Sequence, residues 1–346
     1  MRCLVVQTAF LGDVILTVPL LGLLNRDPRV SELVVVAAPP GAGFLEGQGG
    51  VDRVITYDKR GVDAGFSGMS RVIAELRELA LDVAVVPHRS MRSALLPLAA
   101  RVPTRVGFDV SGGRWLLTRL VPYRQEDHEV DRVASLAASL GVTVPGGRIP
   151  FELRVPDGQA EALSEVLARS GVDPEGRHLV VAPGSRWATK RWLPDRFAKA
   201  ARTLASELSS NVVVVGAPEE VDVGALVSEQ AGPSAVDLTG RLPIGQLVAL
   251  VSGSVLVLSN DSAVTHIAAG LSVPVVTVFG PTVPAQGFAP YTDLARVVEA
   301  ALPCRPCGRH GSDHCPIGTL DCMRLVEVAD VVTAGLELVG EEGAGA

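Results

Sequence analysis

No run in this 346-residue chain reaches about 18 uncharged apolar residues, the length that marks a membrane-spanning helix. Asp-x-Asp occurs nowhere. That argues against an enzyme that grips a nucleotide diphosphate through a divalent metal, because such a site needs clustered carboxylates. Aromatic residues make up only 4% and charged residues only 20%, yet hydrophobic residues reach 47%, so the chain is too apolar to be disordered. Its 36 glycines and 24 prolines follow no G-X-Y period, which excludes collagen and leaves a loop-rich globular protein. Basic charge is not in excess either. A formal net charge of −7 argues against a broad nucleic-acid surface and leaves room only for a local basic patch.

What is present points to two domains, at roughly 150 residues each. The N-terminal MRCLVVQTAFLGDVILTVPLLGLL is apolar enough for a signal peptide, but Gly12-Asp13 interrupts it and no clean cleavage site follows. It reads as a buried strand, a turn and a helix, so the expected location is cytoplasmic, with any service to a membrane given from its inner face. Cys3 stands alone, whereas Cys304, Cys307, Cys315 and Cys322 crowd into one segment, unlike the disulfides of a secreted fold.

Uniformly apolar runs recur at Leu4–Val6, Leu33–Ala37, Val83–Val86, Leu179–Ala182, Val212–Val215, Val255–Leu258 and Val275–Phe279. They suit strands of a parallel sheet covered on both faces. Between them lie helical periods such as Met69–Leu79, Ala160–Arg169 and Asp195–Leu208. The alternation predicts a doubly wound α/β fold. It runs twice, over residues 1–150 and 151–323, with a Pro- and Gly-rich linker at Val142–Gly158 and a last helical period at Leu325–Leu338 within a C-terminal segment 324–346. Two such halves facing across a cleft suit nucleotide and sugar chemistry, because ligands collect outside the carboxyl ends of the strands.

Four stretches could carry chemistry. In the turn after the first strand, Asp13 is either a helix-capping or first-turn acid or a general base. The second is Ala182-Pro183-Gly184-Ser185-Arg186-Trp187-Ala188-Thr189-Lys190-Arg191-Trp192. Its cations and small polar residues suit a phosphate, although the glycine spacing is not that of a P-loop. In the third, Ser259-Asn260-Asp261-Ser262-Ala263-Val264-Thr265-His266, Asp261 or Ser262 can cap a helix and leave its start open to an anion. His266 follows one turn later. The fourth holds Glu219 and Glu220, first-turn acids or a ribose contact. Arg89 and Arg92 follow a strand in the first half and are candidates for anionic groups, or else ordinary solvated arginines. The spacing C-x2-C-x7-C-x6-C can hold a structural zinc, or leave reduced thiols or labile disulfides.

Taken together, TAFLGDVILTVPLL, APGSRWATKRW, LSNDSAVTHIAAGLSVPVVTVFGPT and the Cys-x-Pro-Cys…Cys-Pro…Cys-Met tail resemble the heptosyltransferases, glycosyltransferase family 9 of the GT-B fold. The TAFLGD form and the cysteine tail are most similar to the branch of heptosyltransferase II. The resemblance implies an N-terminal acceptor-binding and a C-terminal donor-binding Rossmann-like domain. It also implies inverting, metal-independent transfer of L-glycero-D-manno-heptose from ADP-heptose to the inner core of lipopolysaccharide, a lipid A-Kdo-heptose acceptor. On the family's motifs Asp13 falls on the catalytic base and Lys190 on the lysine that neutralises the leaving diphosphate. Gly184, Ser185, Glu220, Asp261, Ser262 and His266 fall on donor-binding positions, with the choice between Glu219 and Glu220 open by one place. Arg89 and Arg92 would meet the acceptor's Kdo and phosphate groups. Two alternatives remain at this stage: a relative with another nucleotide-sugar or glycan acceptor, and a two-domain nucleotide- or sugar-binding protein without chemistry.

Overall fold

The computed structural model describes residues 1–345, with side chains to Glu341. The chain forms two compact units, Met1–Glu152 and a second from Leu153 onward. The first contains β1 (Arg2–Gln7), β2 (Glu32–Ala37), β3 (Arg53–Thr56), β4 (Val83–Val86), β5 (Thr104–Phe108) and β6 (Arg119–Val121). They pair in the order β3-β2-β1-β4-β5-β6, every pair parallel. The second contains β7 (His178–Ala182), β8 (Asn211–Val214), β9 (Ala235–Asp237), β10 (Ser254–Asn260), β11 (Val275–Phe279) and β12 (Ala295–Glu299). Their order is β12-β11-β10-β7-β8-β9, again all parallel. Counted from the first strand of each unit, both sheets read 3-2-1-4-5-6, the doubly wound order.

The apolar runs became the central strands because helices cover both faces there, and Leu4, Val5, Val6 and Val83–Val86 are almost fully buried. The strands that the sequence did not announce lie mostly at or near the edges. Arg53, Arg119, Asp237 and Arg296 interrupt their apolar pattern, and solvent on one side tolerates that. The linker holds no helix or strand, yet Ile149, Phe151 and Leu153 are buried, and the Leu153 N–H donates to the Gly270 carbonyl at 2.8 Å.

The C-terminal segment is not an appendage. A short helix, Asp321–Arg324, precedes a long one, Val328–Gly345, whose Val331 and Leu338 enter the same core as Leu204, Leu256 and Val276. A Cβ at Gly335 would lie 2.9 Å from Leu204 Cδ2, so glycine there permits the close approach. The C-terminal helix thus packs into the second unit's core through Val331 and Leu338, and Ala346 lies outside the described residues. The order of each sheet reverses direction between β1 and β4 and between β7 and β10. Ligands of such sheets bind in the crevice outside the carboxyl ends of the strands at that point. The loops after these four strands hold most of the residues singled out in the sequence.

Candidate active site

In the first unit the chain leaves β1 and enters a five-residue helix, Leu11–Ile15, before a second helix, Val18–Arg26, with Pro19 at its start. The single helix expected here is therefore split. Phe10 occupies the cap position and Asp13 lies inside the first turn, so Asp13 does not cap the helix. The Thr17 hydroxyl donates to the Asp13 carbonyl at 2.7 Å and accepts from the Gln7 amide at 3.0 Å, which ties the Asp13 backbone to the end of β1.

Basic residues surround this loop. Lys59 Nζ donates to the Thr8 carbonyl at 2.6 Å and approaches the Thr8 hydroxyl at 3.2 Å. The Arg60 guanidinium sits 5.4 Å above the Phe10 ring. Burial, then the charges of Arg60 and Arg92, pull the Lys59 pKa down. His88, in the loop after β4, shares its Nδ1 between the Ser93 hydroxyl at 2.8 Å and the Thr8 hydroxyl at 3.2 Å. Burial, helped by Lys59 and Arg89, pushes its pKa down to about 4, so the ring is neutral at pH 7. Arg89 rests 4.4 Å over the Tyr123 ring, whose hydroxyl donates to Glu129 Oε2 at 3.3 Å. Glu129 also pairs with the buried Arg132 at 2.9 Å. Burial raises Glu129 to about 7; Arg132 opposes the rise and the Asp13 carboxylate adds to it, so the two acids feel each other. Arg92 is exposed on the helix Met91–Ala99.

In the second unit Lys190 ends a three-residue turn, Ala188–Lys190, in the loop after β7. Its Nζ lies 2.6 Å from Asp261 Oδ2, which also accepts from the Thr282 hydroxyl at 2.7 Å. Asp261 is thus an ion-pair partner and not a helix cap. The cap position before Ala263–Gly270 belongs to Ser262, whose hydroxyl makes no capping bond and is buried without a partner. That hydroxyl and the helix start form a donor set for an anion. His266 is buried one turn along the same helix. Glu220 is the acid that folds inward: it accepts from the Ala217 N–H at 2.9 Å, and a Cβ on Gly184 would lie 2.1 Å from its carboxyl carbon. Gly184 therefore makes room for Glu220, while Glu219 is exposed. Ser185 is buried, and its carbonyl accepts from Arg191 Nε at 2.8 Å.

The model of glycosyltransferase family 9 (heptosyltransferase) matches residues 69–316. The chain belongs to glycosyltransferase family 9. It is a glycosyltransferase by that membership. Lipooligosaccharide heptosyltransferase 2 of Haemophilus influenzae is 28% identical over 63% of this chain, and the aligned part spans 65% of that relative's length. Lipopolysaccharide heptosyltransferase 2 of Salmonella typhimurium is 28% identical over 80% of this chain and 75% of its own. Among solved structures, Escherichia coli ADP-heptose lps heptosyltransferase II superposes with a TM-score of 0.81 at 23% identity, covering 99% of this chain and 100% of that one. The E. coli heptosyltransferase WaaC with ADP-2-deoxy-2-fluoro heptose superposes with a TM-score of 0.68 at 21% identity, covering 87% and 94%. These likenesses establish the GT-B fold of two Rossmann-like domains.

Several family-9 candidates were recognisable in the sequence; others were not. Lys59, Glu129 and Tyr123 reach the site loops from distant positions, and no local pattern announces them; Thr189 and Thr282 lie inside the quoted motifs, but nothing there marks them as supports. Trp192, which looked like part of a ligand loop, is fully buried packing: its ring meets Phe197 edge-on at 5.1 Å and its Nε1 donates to the Val326 carbonyl at 3.2 Å. Asn260 joins the loops, accepting from the Trp192 N–H at 2.9 Å and donating to the Pro183 carbonyl at 2.8 Å.

Of the three alternatives open for the cysteine cluster, the structure has the free thiols. Among the described residues no group of three or more His, Cys, Asp or Glu is placed to hold a metal ion. Cys322 is buried in the core on its short helix, whereas Cys307 is exposed with its thiol toward the Cys304 carbonyl at 3.3 Å. Backbone N–H groups following Cys315 lower its thiol pKa, while burial pushes Cys322 up to about 11.

Proposed function

We propose that this family-9 enzyme transfers L-glycero-D-manno-heptose from ADP-heptose to the inner core of lipopolysaccharide, with inversion at the anomeric carbon. The names of the relatives and the ADP-sugar in one solved neighbour support the donor and acceptor class. The observation that carries the reading is the composition of the second unit's switch point. A lysine held by one carboxylate, a helix start with an unpartnered hydroxyl, and an acid seated against a glycine lie on the loops after β7, β8 and β10. The phosphates and the ribose hydroxyls of a nucleoside diphosphate match that set.

A single displacement needs a base to take the acceptor hydroxyl's proton and positive charge to receive the departing diphosphate. The reading gives the first role to Asp13 and the second to Lys190, one residue from each unit. Ser262, the start of its helix and Ser185 bind phosphate, Glu220 binds the ribose, and His266 supports the same donor loop. Arg89 and Arg92, joined by Lys59 and Arg60, meet the acidic groups of the lipid A-Kdo-heptose acceptor. Because Lys190 and the helix start supply the positive field, transfer proceeds without a divalent metal. None of the described helices is long and apolar enough to cross a membrane. In this reading the acceptor is met at the inner face of the membrane. The test is to incubate the protein with ADP-heptose and defined inner-core acceptors and to weigh the products. A product one heptose heavier, formed in chelator, supports the reading. Transfer from another nucleotide-sugar alone would replace the donor, and no transfer with any donor would return the chain to a binding role.

A further inference from the structure

The segment that carries Cys304 and Cys307 runs directly behind Lys190. The Thr189 N–H donates to the Ser312 carbonyl at 3.0 Å, and the Thr189 hydroxyl donates to the same carbonyl at 2.9 Å. In return the Ser312 N–H donates to the Thr189 hydroxyl at 2.8 Å. Thr189 is buried. A Cβ on the adjoining Gly311 would lie 2.7 Å from Trp187 Cβ and 2.9 Å from Lys190 Cγ, so only glycine fits against the lysine's turn. The neighbouring His310 stacks on Trp187 with centroids 6.5 Å apart.

The same segment holds the other side of the ion pair. Asp261 is anchored by Thr282, and the Thr282 carbonyl accepts from Arg305 Nη2 at 2.8 Å. Arg305 also donates through Nε to the Gly280 carbonyl, and the Cys307 N–H donates to the Pro281 carbonyl at 2.9 Å. The Arg305 side chain is 4% exposed, so these bonds are shielded from water. The lysine's turn is only three residues long and has little hydrogen bonding of its own, chiefly Lys190 N–H to the Trp187 carbonyl at 3.0 Å. Its conformation must be set from outside.

We infer that residues 304–312 form a clasp that positions the Lys190–Asp261 pair, with Thr189 and Ser312 as the contact that fixes the lysine. This rests on the assignment of Lys190 to the departing diphosphate. Thr189, Gly311 and Arg305 are positioning residues and touch no reacting atom. The clasp fixes the backbone end of Lys190 and Asp261 fixes the ammonium end, so the charge waits where the leaving group develops. A displacement on the order of 1 Å at such a group can cost about a hundredfold in rate.

The experiment compares Thr189→Val, Thr189→Ser and Gly311→Ala in the wild-type chain and in Lys190→Ala, measuring kcat, KM for ADP-heptose and thermal midpoint. Thr189→Val should lower kcat about tenfold or more with the donor KM within about twofold, and Thr189→Ser should restore it. Gly311→Ala should act in the same direction through a different atom. Within Lys190→Ala, Thr189→Val should cost nothing further, because groups that act through one another are not additive. Wild-type kcat in both Thr189→Val and Gly311→Ala overturns the clasp. So does a loss that persists in full without the lysine, which marks a merely structural contact. Wild-type turnover in Lys190→Ala instead overturns the assignment of the lysine, and the clasp with it.

Discussion

The two units have the same strand order and put opposite charge arrangements at its turning point. Around residues 8–13 of the first unit, Lys59 donates to a carbonyl, Arg60 and Arg89 lie over aromatic rings, and these cations outnumber the acids near them, Asp13 and Glu129. In the second unit Lys190 is already matched by Asp261 at 2.6 Å. Surplus positive charge suits an acceptor that arrives with several acidic groups, and it speeds the encounter as well. A matched cation suits charge that appears only as a leaving group departs: in the proposed role, Lys190 would turn part of its field from Asp261 to phosphate. On the proposed assignment a common scaffold separates recognition from leaving-group chemistry by what its loops carry, and fold alone would not distinguish the two ends.

Substitutions can break that contrast. Removing the matched cation has the largest expected effect: Lys190→Ala should lose about 2–4 kcal/mol of transition-state stabilisation in kcat/KM. Lys190→Arg should recover only part, since a guanidinium is not a point charge. Removing surplus charge in the first unit should look different. Arg89→Ala should raise the acceptor KM several-fold, by roughly 1 kcal/mol, and leave donor KM and ADP affinity alone, as titration of each substrate would reveal. A rise in donor KM instead would erase the division between units. Glu220→Gln should do the converse, weakening ADP while leaving the acceptor KM in place.

A smaller effect concerns pH. Glu129 titrates at about 7 in the folded chain, above an ordinary carboxyl, so between those values the native state holds a proton that the unfolded chain has released. Its contribution to stability is therefore present at low pH and lost as pH rises through about 7. His88, depressed to about 4, acts in the other direction between that value and its ordinary one. Glu129→Gln should remove the downward part of the stability profile between about pH 4.5 and 7, measured by denaturant unfolding. An unchanged profile would mean that Glu129 is ionised by Arg132 throughout.

Legibility in the sequence follows the physics of each element. The central strands could be read because burial on both faces demands continuous apolar runs, as in Val83–Val86 and Val275–Phe279. The edge strand β3 could not, since one exposed side admits Arg53 and Thr56. Site residues that follow a central strand, such as Asp13, Lys190 and Asp261, sit next to that signal and share its visibility. Their supports do not. Thr189 meets Ser312 across 123 positions and Lys59 meets Thr8 across 51, and such pairings arise only once the sheet order is known. Trp192 misled because a basic neighbourhood on paper is, in space, a tryptophan turned into the core. The helix at Leu11–Ile15 ends early because Thr17 takes the Asp13 carbonyl and Pro19 begins the next helix, a side-chain competition that periodicity does not register.

The central claim is that base and donor site reside in different units, and Asp13→Asn tests it most directly. The substitution keeps size and hydrogen-bonding capacity but cannot accept the acceptor's proton. On one preparation the thermal midpoint, ADP affinity and heptose transfer rate should be measured together. The account predicts an unchanged midpoint, wild-type ADP affinity and transfer slower by at least about a hundredfold, with Asp13→Ser equally slow. Wild-type transfer by Asp13→Asn, or a loss of ADP affinity that accounts for the slower rate, would contradict it.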